Sequence, residues 1–132
     1  MTDEEFIRRF EDCTLSPENF HHQDHVRLAW LYLRQHPTLA ALAKFSQGLK
    51  KFAASLDKSA RYHETVTWAY ILLIQERMAR GGEESWQAFA EKNADLLNWQ
   101  DNILKNYYAE ETLKSDLAKR VFIFPDRHVS SK

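Results

Sequence analysis

The sequence contains few of the residues that interrupt or cross-link a chain. It has three glycines, three prolines and a single cysteine, Cys13, among 132 residues. A single cysteine excludes an internal disulfide and any zinc site built from several cysteines. Low glycine and proline, beside abundant alanine, leucine, glutamate, lysine and glutamine, favours helix. The sequence therefore predicts a helical protein without a disulfide framework.

An excess of charge of one sign is also missing. Lysine and arginine number 18 against 19 aspartates and glutamates, a formal net charge of −1. Because a nucleic-acid-binding domain normally carries a basic excess, we expect no nucleic-acid partner. A hydrophobic content of 44% and an aromatic content of 13% exclude a disordered chain. The length is that of one domain, so residues 1–132 are predicted to form a single domain.

Long hydrophobic runs are absent as well. The longest, from Trp68 to Ile74, is far shorter than the ~20 residues that cross a bilayer, and we expect no membrane partner. The chain begins with acidic residues after Met1 and Thr2, whereas a secretory signal begins basic and then turns apolar. With one thiol, a reducing compartment fits, and the predicted location is cytoplasmic.

Apolar residues recur at helical spacing over most of the chain, which predicts an all-α fold. The first helix is expected to start at Thr2, which forms a capping box with Glu5 and is followed by helix to about Cys13. Further helices are predicted over about 24–35, 38–56 and 60–79, from about 85, and over about 99–108 and 110–120. Residues 121–125 are expected to be extended coil. The predicted architecture is a compact up-down bundle of about five to seven helices.

Histidines cluster at the start of the predicted second helix. His22 and His25 lie three residues apart, which places both side chains on one face of a helix. In an up-down bundle the starts of the second and fourth helices lie at the same end. His63, near the start of the fourth helix, is therefore expected to join His22 and His25 in a pocket at that end.

Three imidazoles with an open coordination position make a workable catalytic metal site. The candidate ligands are His22, His25 and His63, and the candidate ion is one divalent transition metal: Zn, Fe, Ni or Mn. Two alternatives stay open for the same histidines. They line a metal-free pocket in which one of them acts as acid or base, or they only make structural hydrogen bonds. No sequence motif for an organic cofactor is present.

Two residues of the fourth helix are candidate catalytic residues, Glu64 and Thr67. Glu64 is adjacent to His63 and so lies about 100° around the helix. It either flanks the pocket or pairs with a nearby base. Thr67 follows His63 by four residues, and it either forms a polar pocket wall or bonds its own helix backbone. Tyr70, one turn further, is expected in the core with its hydroxyl hydrogen-bonded.

Two short motifs resemble those of a family of small uncharacterised bacterial all-helical proteins. They are Phe20-x-His22-x-x-His25 and Tyr62-His63-x-Thr65-x-Thr67, with looser similarity in the tail as far as Asp126. The resemblance implies a shared pocket around His22, His25 and His63, and it implies nothing about a reaction.

The functional hypothesis is that the protein is helical and binds a small molecule. Whether it is also a metal-dependent enzyme is left open. Its site is the histidine-lined pocket at one end of the bundle. The alternative is a non-enzymatic protein-interaction or homodimerisation domain. In that case the histidines are structural and the aromatic surplus of four tryptophans, five tyrosines and eight phenylalanines covers the partner surface.

Overall fold

The computed structural model describes residues 1–127, and within that range the chain is helical, without strands. The all-α prediction is confirmed. The described chain has eight α-helices, one more than the upper predicted number. They are α1 (Asp3–Glu11), α2 (His22–Gln35), α3 (Thr38–Ser55), α4 (Glu64–Gly81), α5 (Trp86–Lys92), α6 (Ala94–Leu97), α7 (Glu110–Lys114) and α8 (Asp116–Arg120). Short 3-10 turns cover Pro17–Asn19, Ser59–Arg61 and Ile103–Asn106.

Local capping fixes where several helices begin. At α1 the predicted capping box is confirmed: the Glu5 amide donates to Thr2 Oγ1 at 3.1 Å, and the Thr2 amide donates to Glu5 Oε1 at 3.3 Å. Ser85 caps α5, since its hydroxyl accepts from the Ala88 amide at 3.1 Å. These side chains satisfy amide groups that a helix start leaves without partners.

The predicted helix over 99–108 is wrong. Residues 98–102 form turns, followed by the 3-10 turn Ile103–Asn106. Two asparagines account for this, because their side chains accept from nearby amides. Asn98 Oδ1 accepts from Asp101 at 3.0 Å, and Asn102 Oδ1 accepts from Leu104 at 3.1 Å. Such local bonds compete with helix continuation.

The predicted helix over 110–120 divides at Ser115. This residue has an extended backbone, with φ −72° and ψ 151°, and its hydroxyl caps α8 by accepting from the Ala118 amide at 3.1 Å. Two five-residue helices, α7 and α8, therefore replace one longer helix.

The three longest helices, α2, α3 and α4, pack against one another and form most of the core. The start of α2, the end of α3 and the start of α4 meet at one end, as the up-down order requires. Close packing on the side of α1 depends on Gly48 in α3. A Cβ atom at Gly48 would overlap the ring of the buried Phe10.

The C-terminal segment covers another side of α4 as extended coil, which confirms the prediction for residues 121–125. The buried Thr65 hydroxyl donates to the Val121 carbonyl at 2.8 Å and accepts from the Ile123 amide at 3.1 Å. Phe122 stacks on Trp68 with ring centroids 5.2 Å apart. In the described part of the chain, no helix is long and apolar enough to span a membrane.

A histidine-lined cavity as candidate functional site

A cavity of about 550 Å³ opens at the end of the bundle where α2 and α4 start and α3 ends. This volume lies within the range of pockets that hold small molecules. Most of the wall is aliphatic or aromatic: Phe20, Val26, Ala29, Phe45, Leu49, Phe52, Val66 and Ile74. The shape and the lining are those of a binding pocket for a molecule with an apolar body.

The three predicted histidines all lie on the wall of this cavity. His22 and His25 belong to the first turn of α2, and His63 is the residue that caps α4. Tyr62, Thr67 and Tyr70 add hydroxyl-bearing side chains to the same wall. The antiparallel arrangement of α2, α3 and α4 brings these residues together although His25 and His63 are distant in sequence.

His25 presents an imidazole without a hydrogen-bond partner among residues 1–127. Its ring stacks on Phe20, with centroids 4.1 Å apart and an angle of 25° between the planes. Burial, with smaller contributions from His22 and His21, lowers the pKa of His25 to about 4. The ring is therefore neutral at pH 7, with one nitrogen able to donate a hydrogen bond and the other able to accept one.

His22 lies at the edge of the cavity between two aromatic rings. The centroid of its ring is 4.8 Å from that of Tyr70 and 4.9 Å from that of Trp99. Its Nε2 donates to the Leu96 carbonyl at 2.9 Å, and because a carbonyl only accepts, Nδ1 is the acceptor nitrogen of a neutral ring. Burial lowers the pKa of His22, opposed by the bond to Leu96.

His63 uses both ring nitrogens within the fold. Its Nδ1 accepts from the Val66 amide at 3.1 Å and caps α4, and its Nε2 donates to the Leu113 carbonyl at 2.7 Å. The side chain thus joins the start of α4 to α7. This is a structural role, one of the alternatives that the sequence left open.

His22, His25 and His63 do not form a ready metal site as they are placed. Among residues 1–127, no group of three or more histidine, cysteine, aspartate or glutamate side chains is placed to hold one. A metal bound by His22, His25 and His63 would have to displace the bonds of His63 to Val66 and Leu113. Metal binding by these residues stays a prediction.

The two candidate catalytic residues differ in position. Glu64 is not on the cavity wall. It accepts a hydrogen bond from the Tyr62 hydroxyl and lies 3.8 Å from Lys50 Nζ, so it pairs with a nearby base. Thr67 lies on the wall, and its hydroxyl donates to the His63 carbonyl at 2.8 Å. Thr67 is thus both a wall residue and bonded to its own helix.

Sequence reasoning did not assign the α3 part of the wall to the site. Leu49, Phe52, Ala53 and Leu56 line the cavity, and their spacing of three, four and seven residues marks one face of a helix. That spacing identifies an apolar helix face. It does not show whether the face packs against other core side chains or borders a cavity.

The expectation for the Tyr70 hydroxyl is wrong. Tyr70 is buried, with 5% of its surface exposed, and its hydroxyl has no hydrogen-bond partner among residues 1–127. It packs in a small core cluster with Leu104 and Tyr108, whereas the Tyr108 hydroxyl donates to the Ile123 carbonyl at 2.6 Å. Burial, with the nearby charge of Asp95, raises the pKa of Tyr70, so this hydroxyl is neutral and its donor is unused.

The two tyrosines give a matched test of this difference. Tyr70→Phe removes an unsatisfied hydroxyl and should leave the free energy of unfolding unchanged or raise it by about 1 kcal/mol. Tyr108→Phe removes a formed bond and should lower it by about 1 kcal/mol. Urea denaturation of both variants measures the two effects. Equal destabilisation by the two substitutions would contradict the conclusion that the Tyr108 hydroxyl is hydrogen-bonded and the Tyr70 hydroxyl is not.

The low pKa of His25 predicts a pH-dependent stability. The unfolded histidine takes up a proton near pH 6.5, while the folded one does so only near its pKa of about 4. The unfolded state therefore binds more protons as the pH falls, and stability is lost. Between pH 6.5 and pH 5, the wild type should lose about 1 to 2 kcal/mol more unfolding free energy than His25→Gln.

Urea denaturation at the two pH values measures this difference, and the carboxylates common to both proteins cancel in the comparison. The same loss in wild type and His25→Gln would show that the imidazole is not held neutral by its surroundings.

Comparison with known proteins gave no match to this chain among protein-family models, curated proteins or solved structures. The resemblance of the two histidine motifs to small bacterial helical proteins stays a prediction. The geometry of the cavity is therefore the basis for assigning a function.

Proposed function

We propose that the protein binds a small, mostly apolar molecule in the cavity between α2, α3 and α4. The observation that carries the proposal is a cavity of about 550 Å³ whose apolar wall presents the neutral, unpartnered imidazole of His25. Ligand pockets combine apolar walls with a few polar groups that orient the ligand. His25 has the position and the protonation state for that orienting role.

The size of the cavity supports binding over simple packing. Protein interiors are close-packed, and spaces larger than a water molecule are few. Here the side chains of Phe45, Phe52 and Ile74 approach the space from two helices without filling it. An apolar ligand would complete these contacts and remove the wall from water, which is the favourable term in such binding.

The chemistry of His25 favours binding over general-base catalysis. A general base is most effective when its pKa lies near the working pH. With a pKa of about 4, the imidazole is a weak base at pH 7, although it is a good hydrogen-bonding group. We therefore expect His25 to hold a donor or acceptor of the ligand, with the acceptor Nδ1 of His22 available beside it.

Filling the cavity tests the proposal. N-phenyl-1-naphthylamine, an uncharged dye whose fluorescence rises in apolar surroundings, serves as the ligand. Wild type should bind it saturably, and Ala53→Trp should weaken binding by roughly tenfold or more, because the indole occupies the space that the dye needs. Ala54→Trp is the matched control, since Ala54 is exposed and lies next to Ala53 but off the wall.

Circular dichroism of both variants serves as the control that they fold as wild type does. Equal dye binding by wild type and Ala53→Trp would contradict the proposal. Loss of binding in Phe124→Ser instead would favour the alternative of an interaction surface. Phe124 is 80% exposed, Val121 of the same C-terminal segment is 44% exposed, and Leu117 of the preceding helix α8 is 51% exposed.

A further inference from the structure

Two cationic side chains, Lys58 and Arg61, lie on the wall of the cavity. They come from the link between α3 and α4, in and next to the 3-10 turn Ser59–Arg61. Both are exposed, which places them where the cavity opens to solvent. Among residues 1–127, no aspartate or glutamate lines the cavity. Asp57, which directly precedes Lys58 in the sequence, is exposed and lies off the wall.

Neither Lys58 nor Arg61 forms an ion pair within residues 1–127, unlike several other basic side chains. Eight other lysines and arginines within that range do pair with a carboxylate, Arg77 with Asp95 among them. The carboxylate nearest in sequence to Arg61 is Glu64, which is already engaged by Tyr62 and Lys50. Within the described chain, neither cation is therefore paired with a carboxylate, and both are placed to meet an anionic ligand.

Among residues 1–127, Lys58 and Arg61 at the opening are the only lysine and arginine on the cavity wall. Burial keeps His22 and His25 neutral at pH 7 because it lowers the pKa of each imidazole. An anionic group carried into the interior would lose its hydration without gaining a counter-ion, which is strongly unfavourable. The same group placed at the opening would meet Lys58 and the planar, donor-rich guanidinium of Arg61.

We infer that the ligand is a small amphipathic organic anion, with its apolar body in the cavity and its anionic group at Lys58 and Arg61. This inference rests on the proposed function and adds the chemical class of the ligand. The apolar wall selects the body, and the two cations select a carboxylate or a similar anion. His25 then meets a polar atom within the body.

Two dyes with the same apolar body separate the charge from the cavity. N-phenyl-1-naphthylamine is neutral, and 8-anilinonaphthalene-1-sulfonate adds one sulfonate to the same ring system. In Lys58→Gln/Arg61→Gln, the dissociation constant of the sulfonate should rise roughly tenfold, while that of the neutral dye should stay the same. Added salt should weaken binding of the sulfonate to wild type and leave the neutral dye unaffected.

Lys44→Gln/Arg120→Gln is the matched control, because it removes the same two charges from exposed positions off the cavity wall. It should leave the binding of both dyes as in wild type. Equal weakening of sulfonate binding by the two double variants would overturn the inference in favour of a general effect of net charge.

The remaining outcomes separate the two proposals. If Lys58→Gln/Arg61→Gln binds the sulfonate as tightly as wild type does, the anionic ligand is overturned while binding of the neutral dye still supports the cavity. If wild type binds neither dye, the proposed function fails, and the inference about the ligand fails with it.

Discussion

The mutual burial of α2, α3 and α4 is the constraint on which the rest of the structure depends. Helix α4 is apolar on several sides, so it has to be covered by α2, by α3 and by the C-terminal segment that Thr65 holds in place. The antiparallel order then places the starts of α2 and α4 at one end. There the three helices leave a cavity whose wall combines apolar side chains with the histidines of the two helix starts.

Three histidines on one cavity wall serve different physical roles because their ring nitrogens meet different partners. Both ring nitrogens of His63 are hydrogen-bonded, one to the Val66 amide in capping α4 and the other to the Leu113 carbonyl. His22 is held through one nitrogen by the Leu96 carbonyl. His25 has neither constraint, and its desolvated ring is neutral. Residue type and spacing are the same for a ligand group and for a structural bond, so the partner atoms decide the role.

Much of this arrangement follows from local sequence. Short-range signals determine the Thr2–Glu5 capping box and the ends of α2 and α3. Short connections between the helices bring together His22, His25 and His63. The breaks at Asn98, Asn102 and Ser115 were not predicted, because side-chain caps there override helical periodicity. The sequence does not show which residues on the apolar face of α3 belong to the core and which line the cavity. It also does not show that the Tyr70 hydroxyl lacks a hydrogen-bond partner, because this depends on tertiary neighbours. These features are set by packing between distant segments.

Binding of a small apolar molecule is proposed for the cavity between α2, α3 and α4. Alanine methyl resonances report on it directly, because Ala29 and Ala53 lie on the cavity wall while Ala54 is exposed next to Ala53. Titration of methyl-labelled protein with N-phenyl-1-naphthylamine, followed by NMR, should shift the methyl signals of Ala29 and Ala53 saturably and leave that of Ala54 in place. Unchanged Ala29 and Ala53 signals at dye concentrations that saturate the fluorescence would contradict binding in this cavity.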